Sequence, residues 1–365
     1  MKIAVLLSGG VDSSVALALL KEQGHDITAF YLKIWLEDEL SFLGQCPWEE
    51  DMSYAKAVCA QFDVPLKVIP LQREYYAKVV TYALEELKEG RTPSPDIFCN
   101  KYIKFGAFFE HIDKSFDSFD KVASGHYACL EEKDGIVLMK NSPDPVKDQT
   151  YFLAHLSQKQ LQRILFPVGG YLKEEVRQIA EKYDLANKKR KDSQGICFLG
   201  KIKYKDFVKH HLGDRDGWII EQSTGKKLGK HHGYWYHTIG QRQGLGLSGG
   251  PWYVVDKDLK KNIIYVSLSY NKEQYARSEY IVSHFNWLAD WDDPSGEVKI
   301  KIRHGPQFYH GVLTMLPKQS EDEVQRGHVR IQETDTGIAP GQFSVFYKDN
   351  VCLGCAKIIE TVVTK

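Results

Sequence analysis

The sequence lacks the features that would assign it to a membrane, secreted or strongly charged class of protein. No run of about 18 consecutive apolar residues occurs, so no transmembrane helix is expected. The apolar run at residues 3–7 is too short for a signal peptide, and the chain is expected to be cytoplasmic with no membrane partner. Its 48 Lys and Arg residues balance 48 Asp and Glu residues, so net charge gives no indication of a nucleic-acid partner.

Cysteine is scarce. The chain has seven, an odd number spread along its length, which argues against a secreted disulfide scaffold. Most are expected to be free thiols packed as small hydrophobic residues. Cys352 and Cys355 have the spacing of a redox or zinc motif, but no second cysteine pair lies near them. Both are therefore expected to be structural.

The hydrophobic pattern changes along the chain. Predicted strands at 2–7, 27–32, 66–71 and ending at 122–125 alternate with predicted helices at 13–23, 51–62 and 74–88. This alternation predicts an α/β domain with a doubly wound parallel sheet, over residues 1–204. From about residue 205, Gly-rich turns and strand-like alternation predict a small central domain (205–273) and a C-terminal all-β barrel (274–365).

Charge is unevenly distributed. Residues 188–242 contain 13 Lys and Arg against 5 Asp and Glu, with five of the 13 histidines and several aromatic residues among them. Basic and stackable side chains together are what a polyanion with exposed bases requires, so this segment is a candidate nucleic-acid surface. The alternative is a solvated face without a ligand.

A glycine-containing loop joins the first strand to the first helix, with the sequence Ser-Gly-Gly-Val-Asp-Ser-Ser at 8–14. Glycines permit a tight turn, and the free N–H groups at a helix start attract phosphate. Asp12 is the candidate ligand for Mg²⁺, which binds through one or two carboxylates together with phosphate oxygens. The Gly-Lys-Ser/Thr ending of a Walker A loop is absent. The string resembles the pyrophosphatase-type loop of ATP-dependent adenylating enzymes.

Two cysteines have cationic neighbours and lie beside turns. Cys99 follows the loop Pro93–Asp96 and is expected just before a helix, where a thiol with Lys101 and Lys104 nearby should be reactive. Asp96 is the candidate acid or base. Cys197 follows a Gly turn and the basic run 188–191. For Cys99 the alternative is a buried structural cysteine, and for the basic run beside Cys197 it is a solvated face.

Taken together, the motifs resemble those of the bacterial-type tRNA-specific 2-thiouridylases, and the resemblance spans almost the whole chain. The matching strings are S-G-G-V-D-S-S (8–14), P-D-I-F-C-N-K-Y-I-K-F-G (95–106), S-G-H-Y-A (124–128), K-D-Q-T-Y-F-L (147–153), D-S-Q-G-I-C-F-L-G (192–200), H-x-T-I-G-Q-R-x-G-L (237–246) and A-P-G-Q (339–342). The resemblance implies an adenine nucleotide hydrolase-like fold for the α/β domain.

The resemblance also implies roles for individual residues. The ATP site would comprise Leu6, Leu7, Ser8, Gly9, Gly10, Val11, Asp12, Ser13, Leu32 and Gly125. The target base would lie at Ser94, Pro95 and Asp96. The tRNA contacts would be His126, Lys147, Asp148, Gln149, Arg303, His304 and Gln342. Two positions depart from the family pattern, which often has Asn at Ser94 and Tyr or Phe at His304.

The implied reaction is ATP-dependent 2-thiolation of the wobble uridine in the tRNA anticodon loop. ATP, with Mg²⁺, adenylates the C2 oxygen. Cys197 carries a persulfide that a sulfur carrier protein or a cysteine desulfurase supplies. Cys99 is the nucleophile, and it either forms a transient disulfide with Cys197 or takes part in a base-linked step. The alternatives are an adenylating enzyme that acts on a small metabolite and a noncatalytic tRNA-binding protein.

Overall fold

The computed structural model describes residues 1–34, 48–116, 118–192, 204–268, 277–318, 320–335 and 337–362. Its N-terminal part is built on five parallel strands in the order β3-β2-β1-β4-β7. These strands are β1 (Lys2–Leu6), β2 (Asp26–Lys33), β3 (Leu66–Pro70), β4 (Lys121–Ala123) and β7 (Ile164–Leu165). The predicted parallel sheet is confirmed, with small shifts at the ends of its elements.

Both faces of the sheet are buried at its central strand β1. In β1, Ala4 and Leu6 join one hydrophobic cluster, whereas Ile3 and Val5 join another on the opposite face. Burial on both faces is why the strand is a continuous apolar run without alternation.

Helices cover the sheet, and two of them contain π-helical turns. The helices are α1 (Val11–Glu22), α2 (Trp48–Gln61), α3 (Gln72–Tyr75, Tyr76–Val80 and Thr81–Lys88 in succession), α4 (Pro95–Phe98, Cys99–Ala107 and Phe108–Ser115 in succession), α5 (Thr150–Leu153), α6 (Gln158–Leu161) and α7 (Lys173–Lys182). The middle segments of α3 and α4 are the π-helical ones. Helix α4 begins at Pro95, a residue that favours the first helical position because its φ is already fixed. The expectation that Cys99 precedes this helix is therefore wrong, since Cys99 lies inside it.

The central part begins with helix α8 (Tyr204–Leu212) and continues as a four-stranded sheet of order β10-β11-β8-β9. Its strands are β8 (Gly217–Glu221), β9 (Lys227–His231), β10 (Tyr253–Asp258) and β11 (Ile263–Ser267). A separate hydrophobic cluster, which includes Ile219, Val254 and Ile264, lies beneath it.

The C-terminal part is a closed six-stranded antiparallel barrel, as predicted. The strands follow the order β12-β15-β14-β13-β16-β17, and β12 also pairs with β17 to close the ring. They are β12 (Arg277–Trp287), β13 (Gly296–Lys301), β14 (Tyr309–Met315), β15 (Arg326–Asp335), β16 (Phe343–Lys348) and β17 (Val351–Val362).

A hairpin from the N-terminal half extends the barrel sheet. Strands β5 (Cys129–Lys133) and β6 (Ile136–Lys140) pair with each other, and β6 pairs with β17 through Cys352 opposite Met139. The sequence pattern had not indicated this hairpin, which joins the α/β part to the barrel. Among the described helices, none is both long and apolar enough to span a bilayer.

Candidate active site at the carboxyl ends of the parallel strands

Two loops meet where the strand order reverses, beside β1. One loop follows β1 and contains Ser8, which is exposed, and the other follows β4 and contains Gly125. A Cβ atom at Gly125 would lie only 2.6 Å from the backbone nitrogen of Ser13, so a glycine is required for this approach. Ligands of open α/β sheets bind in the crevice at such a switch point.

The loop after β1 has the conformation that its glycines predict. Gly9 has a φ of +76°, and a Cβ there would lie 2.3 Å from the carbonyl oxygen of Asp51. The Ser13 and Ser14 hydroxyls both donate to the Gly10 carbonyl at 3.0 Å, and the Ser13 hydroxyl accepts from the Ser8 N–H at 3.3 Å. The loop is therefore shaped by its own hydrogen bonds at the start of α1.

Two distant side chains hold this loop from the interior, and sequence reasoning missed both roles. Asn187 Nδ2 donates to the Gly9 carbonyl and to the Ser14 hydroxyl, both at 2.8 Å. Arg190 donates to the same carbonyl at 3.0 Å and pairs with the Asp51 carboxylate. Arg190 belongs to the basic run 188–191, where its charge had suggested a surface residue.

Asp12, the candidate magnesium ligand, belongs to a network of ion pairs. Its Oδ1 accepts from the Lys173 ammonium at 2.5 Å and from the Tyr127 hydroxyl at 3.0 Å. Lys173 also lies 2.8 Å from Asp192, which pairs with Lys147 and Arg177. The Asp12 side chain is 30% exposed, so its carboxylate remains accessible from the crevice.

Asp96 on α4 is coupled electrostatically to Lys104, which contacts His126 beside the switch point. Burial raises the pKa of the Asp96 carboxyl, although Lys104 opposes the shift. The Lys104 ammonium lies 3.4 Å from His126 Nε2, and the Ser124 hydroxyl lies 2.7 Å from His126 Nδ1. Burial, with Lys104, holds the pKa of His126 well below its ordinary value, so the ring is neutral near pH 7.

Of the two candidate thiols, the structure describes only Cys99. The Cys99 side chain is 2% exposed and belongs to the cluster that covers one face of the sheet. The hydrophobic cluster therefore encloses the thiol, whereas a reactive thiol had been expected. Cys197 and Cys46 lie outside the described residues.

Of the other described cysteines, Cys59, Cys352 and Cys355 are core residues, whereas Cys129 is only partly buried. Cys352 and Cys355 on β17 are buried, and burial raises the pKa of both thiols. Burial also raises the pKa of Cys59 to about 11. None of the described residues forms a cluster of three or more His, Cys, Asp or Glu side chains suited to a metal ion.

The expected target-base residues lie where the α/β part meets the barrel. The Ser94 N–H donates to the Tyr82 hydroxyl at 3.3 Å. Just before it, the Thr92 N–H donates to the Pro340 carbonyl at 2.9 Å. The A-P-G-Q string at 339–342 therefore supports the loop that leads into α4.

Three of the expected tRNA contacts lie on the barrel side of this junction. Gln342 accepts the Ala339 N–H at 3.2 Å, and the His304 ring stacks on Phe152 with centroids 4.7 Å apart. Arg303 pairs with Asp335 and is half-exposed.

The Lys147–Gln149 string has a different position from the one expected. Asp148 is 2% exposed, and its carboxylate pairs with the fully buried Lys301 at 2.7 Å, so its side chain offers no surface to tRNA. Lys147 is engaged with Asp192 at 2.5 Å. Gln149 accepts the Tyr127 N–H at 3.0 Å. Asp148 is thus enclosed, whereas Lys147 and Gln149 remain partly exposed.

The basic segment is only partly a surface. His231 and Tyr234 are buried, and both nitrogens of His231 have backbone partners, at Asn262 and Gly233. His231 therefore does not belong to the candidate nucleic-acid surface. Trp218 is 39% exposed, and the ammonium groups of Lys227 and Lys230 lie 4.4 and 5.4 Å from its ring centroid.

Comparison with known proteins covers nearly the whole chain. Three family models match: a tRNA methyl transferase HUP domain over residues 1–201, a tRNA methyl transferase PRC-barrel domain over 205–268, and an aminomethyltransferase beta-barrel domain over 277–358. Relatives named tRNA-specific 2-thiouridylase MnmA are 48% identical in Parabacteroides distasonis (99% of both chains) and 44% identical in Porphyromonas gingivalis (99% of both chains). A solved 4-thiouridine synthetase–RNA complex with bound ATP is 15% identical, covers 58% of this chain and 50% of its own, and has a TM-score of 0.34.

Proposed function

Because the chain belongs to the tRNA-specific 2-thiouridylase family, we propose that it catalyses the ATP-dependent 2-thiolation of the wobble uridine of tRNA. One observation carries the proposal. The Lys104 ammonium acts electrostatically on the Asp96 carboxyl and contacts His126. His126 contacts Ser124, which precedes the Gly125 that packs against the phosphate loop. An adenylation site and a base-handling site are therefore neighbours.

The first step joins the base to AMP. The uridine O2 attacks the α-phosphorus of ATP, the N3 proton leaves, and pyrophosphate departs. Backbone N–H groups at residues 8–13 hold the phosphates at the start of α1. The remaining proposed nucleotide contacts are Leu6, Leu7, Leu32 and Gly125, around the same crevice.

Asp12 is suited to act as a ligand of Mg²⁺. Lys173 and Tyr127 both donate to its Oδ1, so Oδ2 is the atom available to a cation. A single carboxylate combined with phosphate oxygens is the donor set that Mg²⁺ prefers. The ion would supply positive charge beside the departing pyrophosphate.

Asp96 is the group we assign to the N3 proton. A carboxyl with a raised pKa is a stronger base when ionised, and it can return the proton when the thiolated base forms. Ser94 and Pro95 position the base in front of it.

The second step replaces the activated oxygen with sulfur. A sulfur carrier protein or cysteine desulfurase loads Cys197 as a persulfide. In one route, the Cys99 thiolate attacks Cys197 Sγ, releasing hydrosulfide and forming a Cys99–Cys197 disulfide. Hydrosulfide then attacks C2 and AMP leaves. In the other route, the terminal persulfide sulfur attacks C2 directly, AMP leaves, and Cys99 then cleaves the base-linked S–S bond. Both routes end in a disulfide that an external thiol must reduce.

Recognition of tRNA is assigned to all three parts of the chain. Residues 1–204 activate the base, whereas 205–273 and 274–365 hold the anticodon arm. The tRNA contacts we retain are His126, Arg303, His304 and Gln342. Lys147, Asp148 and Gln149 are assigned to supporting the crevice.

The proposal is tested by measuring pyrophosphate release and 2-thiouridine with unmodified tRNA, a persulfide donor, ATP and Mg²⁺. Pyrophosphate release should depend on tRNA. Cys197→Ser should release pyrophosphate and form no 2-thiouridine, Cys99→Ser should form no 2-thiouridine, and the control Cys352→Ser should retain both activities. Pyrophosphate release with a small metabolite and no tRNA would instead identify another adenylating enzyme. Binding of tRNA without pyrophosphate release would identify a noncatalytic binder.

A further inference from the structure

Lys173 occupies a position beside the phosphate loop that no sequence motif assigned. It is the first residue of α7, its backbone N–H donates to the Asp144 carboxylate at 3.0 Å, and its side chain is 14% exposed. Its ammonium lies 2.5 Å from Asp12 and 2.8 Å from Asp192. The start of α7 thus holds a largely enclosed ammonium group, that of Lys173, against Asp12, the second residue of α1.

The two carboxylates depend on Lys173 to different degrees. Asp192 also pairs with Lys147 and Arg177, each at 2.5 Å, and Lys147 and Lys173 lower its pKa to about 2. Asp12 has the Tyr127 hydroxyl as its other donor, which is neutral. Lys173 is therefore not needed to neutralise Asp192, and its distinctive contact is the one with Asp12.

A nucleotide would change the partners of this ammonium. Phosphate groups at the start of α1 bring negative charge next to Asp12, and a cation bound by Asp12 would repel Lys173 from the carboxylate. The ammonium can then exchange the carboxylate for phosphate oxygens. Such a contact strengthens as charge builds on the leaving group.

We propose that Lys173 binds the β- and γ-phosphates of ATP and stabilises pyrophosphate as it leaves. The inference rests on the proposed function and adds a substrate-binding residue to it. AMP has neither of these phosphates, so Lys173 distinguishes ATP from AMP.

The test compares ATP, inorganic pyrophosphate and AMP affinities, measured by calorimetry with Mg²⁺ on the full chain. Lys173→Met should weaken ATP and pyrophosphate binding by about tenfold or more, because a charge-assisted contact is lost, and should change AMP binding by less than about twofold. Lys173→Arg should recover part of the ATP affinity. Arg177→Met is the matched control, because Arg177 pairs with Asp192 but has no contact with Asp12 among those described.

The outcomes separate a ligand from a structural anchor. If Lys173→Met weakens ATP and AMP equally, or if Arg177→Met reproduces its pattern, the proposal is overturned. If Lys173→Met does not fold, Lys173→Arg and Lys173→Gln are compared with the unmodified chain by the ratio of their ATP and AMP affinities. A ratio in Lys173→Gln equal to that of the unmodified chain contradicts the proposal. Absence of ATP binding by the unmodified chain would overturn the proposed function itself.

Discussion

At the scale of single residues, burial determines what the candidate groups can do. Asp96 illustrates this, because enclosure of its carboxyl disfavours the ionised form and raises its pKa, whereas the nearby Lys104 ammonium acts in the opposite direction. A base with a raised pKa becomes protonated at a higher pH than an ordinary aspartate. The adenylation step should therefore lose activity at a higher pH than it would if its base were an exposed aspartate.

The first prediction concerns this acid sensitivity. The rate of tRNA-dependent pyrophosphate release should fall as pH decreases through the raised pKa of Asp96, because the protonated carboxyl cannot accept the N3 proton. Asp96→Asn should slow the reaction by about 10²-fold or more and remove this dependence. Lys104→Met should move the acid limb to higher pH, since it removes the cation that favours the carboxylate. An acid limb that persists unchanged in Asp96→Asn would assign it to another group.

At the scale of elements, the basic run 188–191 after α7 serves two purposes. Lys188 pairs with Glu181 and Asp184, both at 2.7 Å, and Arg190 holds the phosphate loop. Lys189 and Lys191 are exposed. Only the exposed pair is free to neutralise tRNA phosphates. The run therefore offers fewer positive charges to a nucleic acid than its sequence indicates.

The second prediction separates these purposes by salt dependence. Replacing Lys189 and Lys191 by Ser should reduce the log–log slope of tRNA affinity against salt by about 1 to 2 units, because about one counterion is released per phosphate neutralised. Arg190→Ser is the matched control: it should weaken ATP binding through Gly9 and leave the slope nearly unchanged. A slope that both variants leave intact would mean that the run has no phosphate contact.

At the scale of the whole molecule, a buried ion pair joins the α/β part to the barrel. Asp148 also accepts hydrogen bonds from the Thr150 hydroxyl and the Ser142 N–H, so its carboxylate is well satisfied alongside Lys301. Removing one partner from such a pair leaves an uncompensated charge in a site that excludes water.

The third prediction is a double-mutant cycle on this pair. Lys301→Met should lower the free energy of unfolding by about 3–5 kcal/mol, as measured by urea denaturation. Adding Asp148→Asn should recover much of the loss, since no charge then remains unpaired. Lys299→Met, on the same strand but only half-buried, should change stability by less than about 1 kcal/mol. A weakened tRNA affinity without loss of stability in Asp148→Asn would favour the tRNA role that the sequence resemblance implied.

Local sequence patterns determined the parallel sheet, the glycine-dependent phosphate loop and the barrel. Each depends on residues that are close in the chain: alternation specifies a barrel strand, an apolar run ending at Gly9 specifies a buried parallel strand, and Pro95 favours a helix start. The same local logic misplaced Cys99, because the pattern did not show that α4 starts four residues before it.

Only the tertiary structure decided which side chains surround the nucleotide crevice. Asn187 reaches Gly9 across 178 residues, Lys173 reaches Asp12 across 161, and Lys301 reaches Asp148 across 153. No local periodicity encodes such pairings, because they depend on which helix starts and strands the fold brings together. A charged residue in sequence is therefore assigned to the surface by default, whereas the fold encloses it wherever a partner of opposite charge compensates for lost hydration.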